Sequence, residues 1–298
     1  PSTAIGINLP NNNWIRATYG SKSISIANIS QAYAAARKGS GFYEEFIPDA
    51  ATRELVLRYG EQTDLLHTDL HECLGHGSGR LMPGVSPTAL KVYADVVEEA
   101  RADLYALYFM ADDYLLRIGL LPNGDAYKAQ YYTYLLNGAM TQLTRIEPHH
   151  TIEEAHMRAR AVIARWVLDQ YPQAAALVKA DGQTQLQVKD YAMLREAFGN
   201  LLAEIQRIKS EGLFDEARKL VEKYGVTVPE QLHGEVLRRY ASLHIQPYTG
   251  FLNPHLHLQL GKDGRPQDVY ATYDETFAQQ MLRYSKQYAF LKPTCPTT

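Results

Sequence analysis

His71-Glu72-Cys73-Leu74-Gly75-His76-Gly77-Ser78-Gly79 is the stretch on which the reading of this chain turns. Two imidazoles flank a carboxylate, and the histidines stand five residues apart rather than the four of the common H-E-x-x-H pattern. Catalytic zinc takes three protein ligands and keeps a further position for water. The metal makes that water more acidic and polarises a carbonyl, and a neighbouring glutamate can carry the water's proton to a leaving amine. At roughly 100° per residue, five steps put His76 about 140° around a regular helix from His71. For both rings to reach one ion the helix must either end here or widen by a one-residue π-type bulge. Gly75 lowers the cost of such a distortion, so a locally widened helix is expected over residues 71–76.

A third ligand has to come from another element. Val97-Glu98-Glu99-Ala100-Arg101-Ala102-Asp103 begins 21 residues beyond His76 and lies in a helical pattern marked by Val92, Val96, Ala100, Leu104 and Leu107. Glu99 and Asp103 are four apart and line one helix face. That arrangement suits one ligand and one carboxylate that orients a metal-bound histidine through its second ring nitrogen. Taken by themselves, Glu98, Glu99 and Asp103 would be solvated helix charges; the need for a third ligand gives them weight. His67, four residues before His71, shares its helix face and is read as a packing neighbour that could mimic an extra ligand.

These residues resemble the dipeptidyl peptidase III family of zinc metallopeptidases. The first stretch is similar to its HExxGH-G-S-G motif, and Glu98-Glu99-Ala100-Arg101-Ala102-Asp103 to its EE-x-R-A-E/D motif. Gly6-Ile7-Asn8-Leu9-Pro10-Asn11 resembles the loop before the catalytic helices, and Ala155-His156-Met157-Arg158-Ala159-Arg160 a segment after them. The wording around Cys73 and the short spacing between motifs look most like the Bacteroides-type bacterial members. The resemblance implies one Zn2+ per chain, held by His71, His76 and Glu99, with Glu72 as general base. It implies that Glu98 and Asp103 orient the histidines and that His156 stabilises the tetrahedral intermediate. Asn8, Asn11 and Arg160 would contact substrate, and the activity implied is removal of dipeptides from the free amino end of short peptides. It further implies a second, N-terminal lobe that binds the substrate's amino group; residues 1–298 are then expected to be a single catalytic domain, with little turnover on its own. The family's C-terminal substrate-binding arginine finds no clear counterpart near His244-Ile245-Gln246-Pro247, where Arg238 and Arg239 lie slightly upstream.

Composition agrees with an enzyme and excludes other classes. A net charge of −3 gives no nucleic-acid footprint. No apolar run reaches the roughly 18 residues of a membrane span, and a cytoplasmic location is expected. There is no phosphate-cradling glycine loop and no C-x-x-C pair. Of the two cysteines, Cys73 reads as a small buried filler, and a disulfide with Cys295 is not expected. Ser78 lacks the context of a nucleophile and reads as a turn residue. The 21 tyrosines, clustered at Tyr131-Tyr132-Thr133-Tyr134, read mainly as packing at a large helical surface.

The fold class expected is mainly α: an irregular helical catalytic lobe with small β hairpins. A short strand falls at 23–26 and a helix at 52–76 with a break at Gly60; loop follows to Pro87. Helices are expected at 88–117, 126–145 with Asp125 as N-cap, and 151–170 with a Thr151/Glu154 capping box. Glu153 and Glu154 read as a solvated first turn. Ala176–Val188 alternates around Asp181-Gly182, a hairpin signal. Helices at 190–209, 212–224 and 229–243 come next, then a hairpin over 255–270 turning at Asp263-Gly264, and a last helix at 274–285. His255 and His257 alternate on that hairpin. Such a pair can bind metal, but no acidic partner lies close in sequence, so they read as packed strand residues.

Overall fold

The computed structural model describes residues 5–10, 13–37, 39–245 and 252–290. By their contacts these fall into a larger unit, Ala4–Ser25 with Arg37–Ile245, and a smaller one drawn mainly from Ile26–Ala36 and Gln246–Thr298. In chain order the larger unit opens with β1 (Gly6–Leu9), α1 (Asn13–Tyr19) and β2 (Lys22–Ser25). After α2 (Ala27–Arg37) come α3 (Phe42–Phe46), α4 (Ala50–Leu70), a π turn over His71–His76, α5 (Ala94–Met110), α6 (Asp113–Arg117), α7 (Tyr127–Ala139) and α8 (Ala155–Gln170). The hairpin β3 (Ala175–Ala180) and β4 (Gln183–Val188) precedes α9 (Tyr191–Glu211), α10 (Phe214–Val221) and α11 (Glu230–Ser242). The smaller unit has most of α2, the hairpin β5 (His255–Leu260) and β6 (Pro266–Thr272), and α12 (Phe277–Tyr288). The fold is thus mainly α with small antiparallel sheets of two strands each, as the sequence implied; β3–β4 and β5–β6 are the expected hairpins, whereas β1, paired with β2 across α1, was not anticipated.

Helix α5 is the axis of the larger unit, packed against α4, α8, α9 and the π turn. Its Val96, Val97, Ala100, Leu104 and Leu107 are buried, and Tyr131 meets Phe198 edge-on beside it. Caps set the lengths of its neighbours. Asp49 accepts from the Thr52 N–H at 2.7 Å to start α4, and Asp190 does the same for α9 through Met193 at 2.9 Å. Gly212, at φ 69°, ends α9 in the left-handed conformation that glycine adopts without strain. The Asp181-Gly182 turn has both φ values positive, at 50° and 78°, which is the two-residue hairpin geometry the sequence signalled.

Several boundaries differ from expectation. Helix α4 runs unbroken through Gly60, because a lone glycine costs only about 1 kcal/mol in a helix that tertiary packing holds in place. Val92 is 77% exposed and sits in a 3-10 turn over Lys91–Tyr93, so the buried stripe of α5 starts at Val96. Ala126 is the N-cap residue of α7 with no side-chain cap; Asp125 instead pairs with Lys128 at 2.5 Å. No helix of the described residues is long and apolar enough to cross a membrane.

Candidate metal centre

The π turn over His71–His76 continues directly from α4 and brings both histidines to one side. Their Nε2 atoms lie 3.0 Å apart. Close packing makes Gly75 necessary here: a Cβ at this position would stand 2.6 Å from Cα and Cβ of Ala102 on α5. A Cβ on Gly77 would collide with the Cys73 carbonyl oxygen. Cys73 itself is exposed with a free thiol, not buried, since widening the turn rotates it away from the side that a regular helix would bury.

Helix α5 supplies the carboxylates. Glu99 Oε2 lies 3.3 Å from His71 Nε2 and 3.7 Å from His76 Nε2. It is buried and has no hydrogen-bond partner. Asp103 Oδ1 accepts from His71 Nδ1 at 2.7 Å and from His67 Nε2 at 3.0 Å, while its Oδ2 accepts from the Tyr134 hydroxyl at 2.6 Å. Glu98 Oε1 accepts from His76 Nδ1 at 2.8 Å. Glu98 also takes the forked guanidinium of Arg101, at 3.0 and 2.8 Å, and the Lys209 ammonium. Arg101 is fully buried, and its third bond runs to the Gly75 carbonyl at 2.8 Å, clamping the π turn to α5. Ser78 accepts from Arg101 at 3.2 Å and donates to Gly75, which fits its expected turn role.

These contacts fix the tautomers. A carboxylate only accepts, so His71 and His76 each donate from Nδ1 and turn the Nε2 lone pair inward. In neutral rings two imidazole lone pairs and a carboxylate oxygen thus converge, and the cluster calls for a cation between them; with no metal a proton on His71 fills that role, which is why its pKa is raised. Donors about 2.0–2.1 Å from a tetrahedral zinc stand roughly 3.3–3.4 Å apart, close to the 3.0, 3.3 and 3.7 Å found here. The donor set, two imidazoles and a carboxylate, fits zinc. His67 with His71 and Asp103 forms an overlapping cluster, but Asp103 is already engaged by three donors.

Electrostatics follow the same geometry. Burial disfavours charge on His71, yet Asp103 and Glu99 outweigh it and push the ring up to about 10. His76 is raised against the same opposition by Glu98 and Glu99. Burial would raise Glu99, but the two imidazoles hold it at about 2. Glu98 and Asp103 are likewise held far below the usual carboxylate range, by His76 and Arg101 and by His67 and His71 respectively. Glu72 is the exception: burial raises it, with the histidines pulling the other way. Its Oε2 has no hydrogen-bond partner, and its Oε1 rests so near β1 that a Cβ on Gly6 would come within 2.5 Å.

The remaining expected residues approach from other elements. His156, on the first turn of α8, points Nε2 at Glu99 Oε2 across 3.3 Å. Its Nδ1 donates to Glu154 Oε1 at 2.6 Å. Glu154 also caps α8, accepting from the N–H groups of His156 and Met157 at 3.1 and 2.9 Å. The helix therefore starts at Ala155, and the capping group is Glu154 rather than Thr151. Glu154 and His156 form an ion pair, with the imidazole raised chiefly by Glu154. Arg160 lies one turn on and is half-buried. Asn8 is buried, and its amide nitrogen bonds Ser21 and Ser23 of the hairpin and the Glu72 carbonyl at 3.3 Å. Asn11 and Cys295 lie outside the described residues. Arg239 is buried against Glu45 and Thr184, which makes it a scaffold residue. Sequence reading gave no role at the site to Tyr134, Arg101 or Lys209, and saw Glu154 only as a capping-box and solvated first-turn residue. For Arg101 the signal was its place inside the acidic motif; for Tyr134 it was the tyrosine cluster.

A mainly α unit with paired histidines in a π turn, and a glutamate reaching them from the next long helix, forms a candidate site for a divalent metal. A family profile described as "Peptidase family M49" matches residues 2–95 and 85–282, and the chain belongs to that family. Dipeptidyl peptidase 3 of Mus musculus and of Homo sapiens are each 29% identical to it over 296 aligned residues, covering 82% of this chain and 39% of theirs. The Nematostella vectensis dipeptidyl peptidase 3 is 26% identical over 86% of this chain and 40% of its own length. The chain thus spans about two fifths of these curated relatives. In fold it is similar to the dipeptidyl peptidase III structure from Corallococcus sp. strain EGB, with TM-score 0.65 and 24% identity over 82% of this chain and 43% of that one. The structure from Caldithrix abyssi gives TM-score 0.64 at 23% identity, over 83% and 44%.

Proposed function

We propose that this chain is the catalytic lobe of a zinc-dependent exopeptidase that releases dipeptides from the amino end of short peptides. The observation that carries the reading is the convergence of His71 Nε2, His76 Nε2 and the buried Glu99 Oε2 within 3.7 Å of one another. Zinc held by these atoms supplies Lewis acidity toward water and the peptide carbonyl. Glu72, buried and raised in pKa beside both histidines, takes a proton from the attacking water and delivers it to the leaving amine. His156, whose pKa Glu154 raises, donates to the oxyanion of the tetrahedral intermediate, and Arg160 lies one turn on along the same helix. Asn8 spends its amide nitrogen on Ser21 and Ser23, while its Oδ1 has no partner and is assigned to the peptide backbone; Asn11 is assigned to the same loop. Glu98 and Asp103 hold the ligand histidines in the required tautomer. The free thiol of Cys73 suits a reducing cytoplasm.

The substrate's free amino group sets the two-residue register, and we assign its recognition to an N-terminal lobe facing this one. Coverage of only 39–40% of the curated relatives favours a second reading, in which this chain alone binds zinc and peptide but turns over little. A dipeptidyl-naphthylamide assay separates the two, since full-strength activity from residues 1–298 would exclude the dependence on another lobe.

Metal analysis of purified protein tests the site. Wild type should hold zinc at the site and Glu99→Ala should lose it; retention at full occupancy would remove Glu99 as the third ligand. In the two-lobed enzyme Glu72→Ala should keep zinc and abolish turnover, whereas loss of the metal would show that Glu72 coordinates it.

A further inference from the structure

We infer that the smaller unit carries a second divalent-metal site, formed by His255, His257 and Asp274, for a transition metal of the zinc, nickel or copper class. Sequence offered only the two histidines. The hairpin supplies the third group: β5 and β6 pair antiparallel with His255 opposite Thr272, so the chain leaving β6 returns Asp274 to the histidines. One ligand atom from each of the three lies within 4.8 Å of the others.

His255 and His257 are two apart on β5 and so share a face of the ribbon. Their ring centroids are 4.2 Å apart, and His257 stacks on Tyr270 at 5.0 Å with an interplanar angle of 15°. That stacking restrains the ring, as expected of a packed strand residue, and does not consume its nitrogens. The Thr272 hydroxyl donates to Asp274 Oδ1 at 2.8 Å. Its 2.9 Å bond with His257 Nε2 must then run the other way, from the ring N–H to the hydroxyl oxygen. Neutral His257 is thereby set with its lone pair on Nδ1. Glu275, held by Arg283 at 2.8 Å, stands 4.0 Å from His255 Nδ1 and adds negative charge at the edge.

The smaller unit also has a structural use for a cross-link. Among its described residues only Ile29 and Gln280 are buried, and β5 and β6 are largely exposed. An ion bridging β5 to the segment after β6 would tie the hairpin to the start of α12. Two imidazoles with one carboxylate select against calcium and magnesium, which prefer oxygen cages. The inference is independent of the peptidase reading, because no residue is shared between the two centres.

Tag-free protein dialysed against Zn2+ and analysed for metal tests it. Wild type should retain two zinc ions per chain; His257→Ala and Glu99→Ala should each retain one, and the double variant none. Asp274→Asn should weaken the second equivalent by about tenfold or more. A wild type that binds one ion, lost in Glu99→Ala and kept in His257→Ala, overturns this site and leaves the peptidase centre standing. Two ions in wild type with one lost only in His257→Ala does the reverse. Should His257→Ala fail to fold, wild-type proton NMR decides: zinc must shift the His255 and His257 ring resonances, and unshifted rings at two equivalents overturn the proposal.

Discussion

Asp103 shows how much one carboxylate organises. Fully enclosed, it accepts from His67, His71 and Tyr134 at once. Tyr134→Phe removes one donor and leaves a buried anion short of a partner, at a cost of about 1–3 kcal/mol. Zinc affinity should fall by about 10–100-fold as His71 loosens, read by chelator competition and by thermal melting; unchanged affinity would make Tyr134 mere packing. At the other side of the centre, His156→Phe in the two-lobed enzyme should lower kcat far more than it raises KM, since its proton matters when the oxyanion forms. Glu154→Gln should give a weaker version of the same split and shift the pH profile of kcat to lower pH. The imidazole would lose the carboxylate that raises it and surrender its proton earlier.

At the level of elements, the π turn is held by close approach. Gly75→Ala must push the turn off α5, because both the Cα and the Cβ of Ala102 stand 2.6 Å from the new methyl. A loss of about 1–3 kcal/mol is expected, accompanied by weaker zinc binding; a melting temperature equal to wild type would mean the helices separate freely. The widened turn was legible in sequence because the angular arithmetic of His71 and His76 allows little else, and the shared face of Glu99 and Asp103 was legible for the same reason. The β3–β4 turn was written in Asp181-Gly182. Long-range partners were not legible: nothing local marks Lys209 as the second cation on Glu98, or Asp274 as the return of a hairpin to His255. Local signals also misled where tertiary context overrode them, as when the Thr151/Glu154 pattern hid a glutamate that caps its own helix and holds a histidine. Glu235 is a further buried link, joining α11 to the β3–β4 hairpin through Lys179 and Thr184. Burial opposes its charge, but these partners hold it at about 2 against an ordinary 4.5. A depressed carboxylate stabilises the fold above its ordinary pKa, and that contribution fades as pH falls toward the folded value. The melting-temperature gap between wild type and Glu235→Gln should therefore be widest near about pH 6 and close on acidification toward about pH 2; a gap independent of pH would show that the charge is irrelevant.

For the whole molecule, α5 makes core and chemistry one object. The face carrying Val96, Ala100 and Leu107 packs the centre of the larger unit, while Glu98, Glu99 and Asp103 on the same helix build the site. Arg101 joins these roles, since its guanidinium touches the end of the π turn and, through Glu98, shares an anion with Lys209 on α9. A buried charge of this kind does not let go piecemeal: losing one partner costs about 3–5 kcal/mol. Demetallation and collapse of the helical scaffold should consequently be one event. In a denaturant titration, colour from a zinc-sensing dye should rise along the same sigmoid that marks the loss of helical circular dichroism. An ion set free well ahead of that curve would mean the histidine turn melts while its surroundings persist.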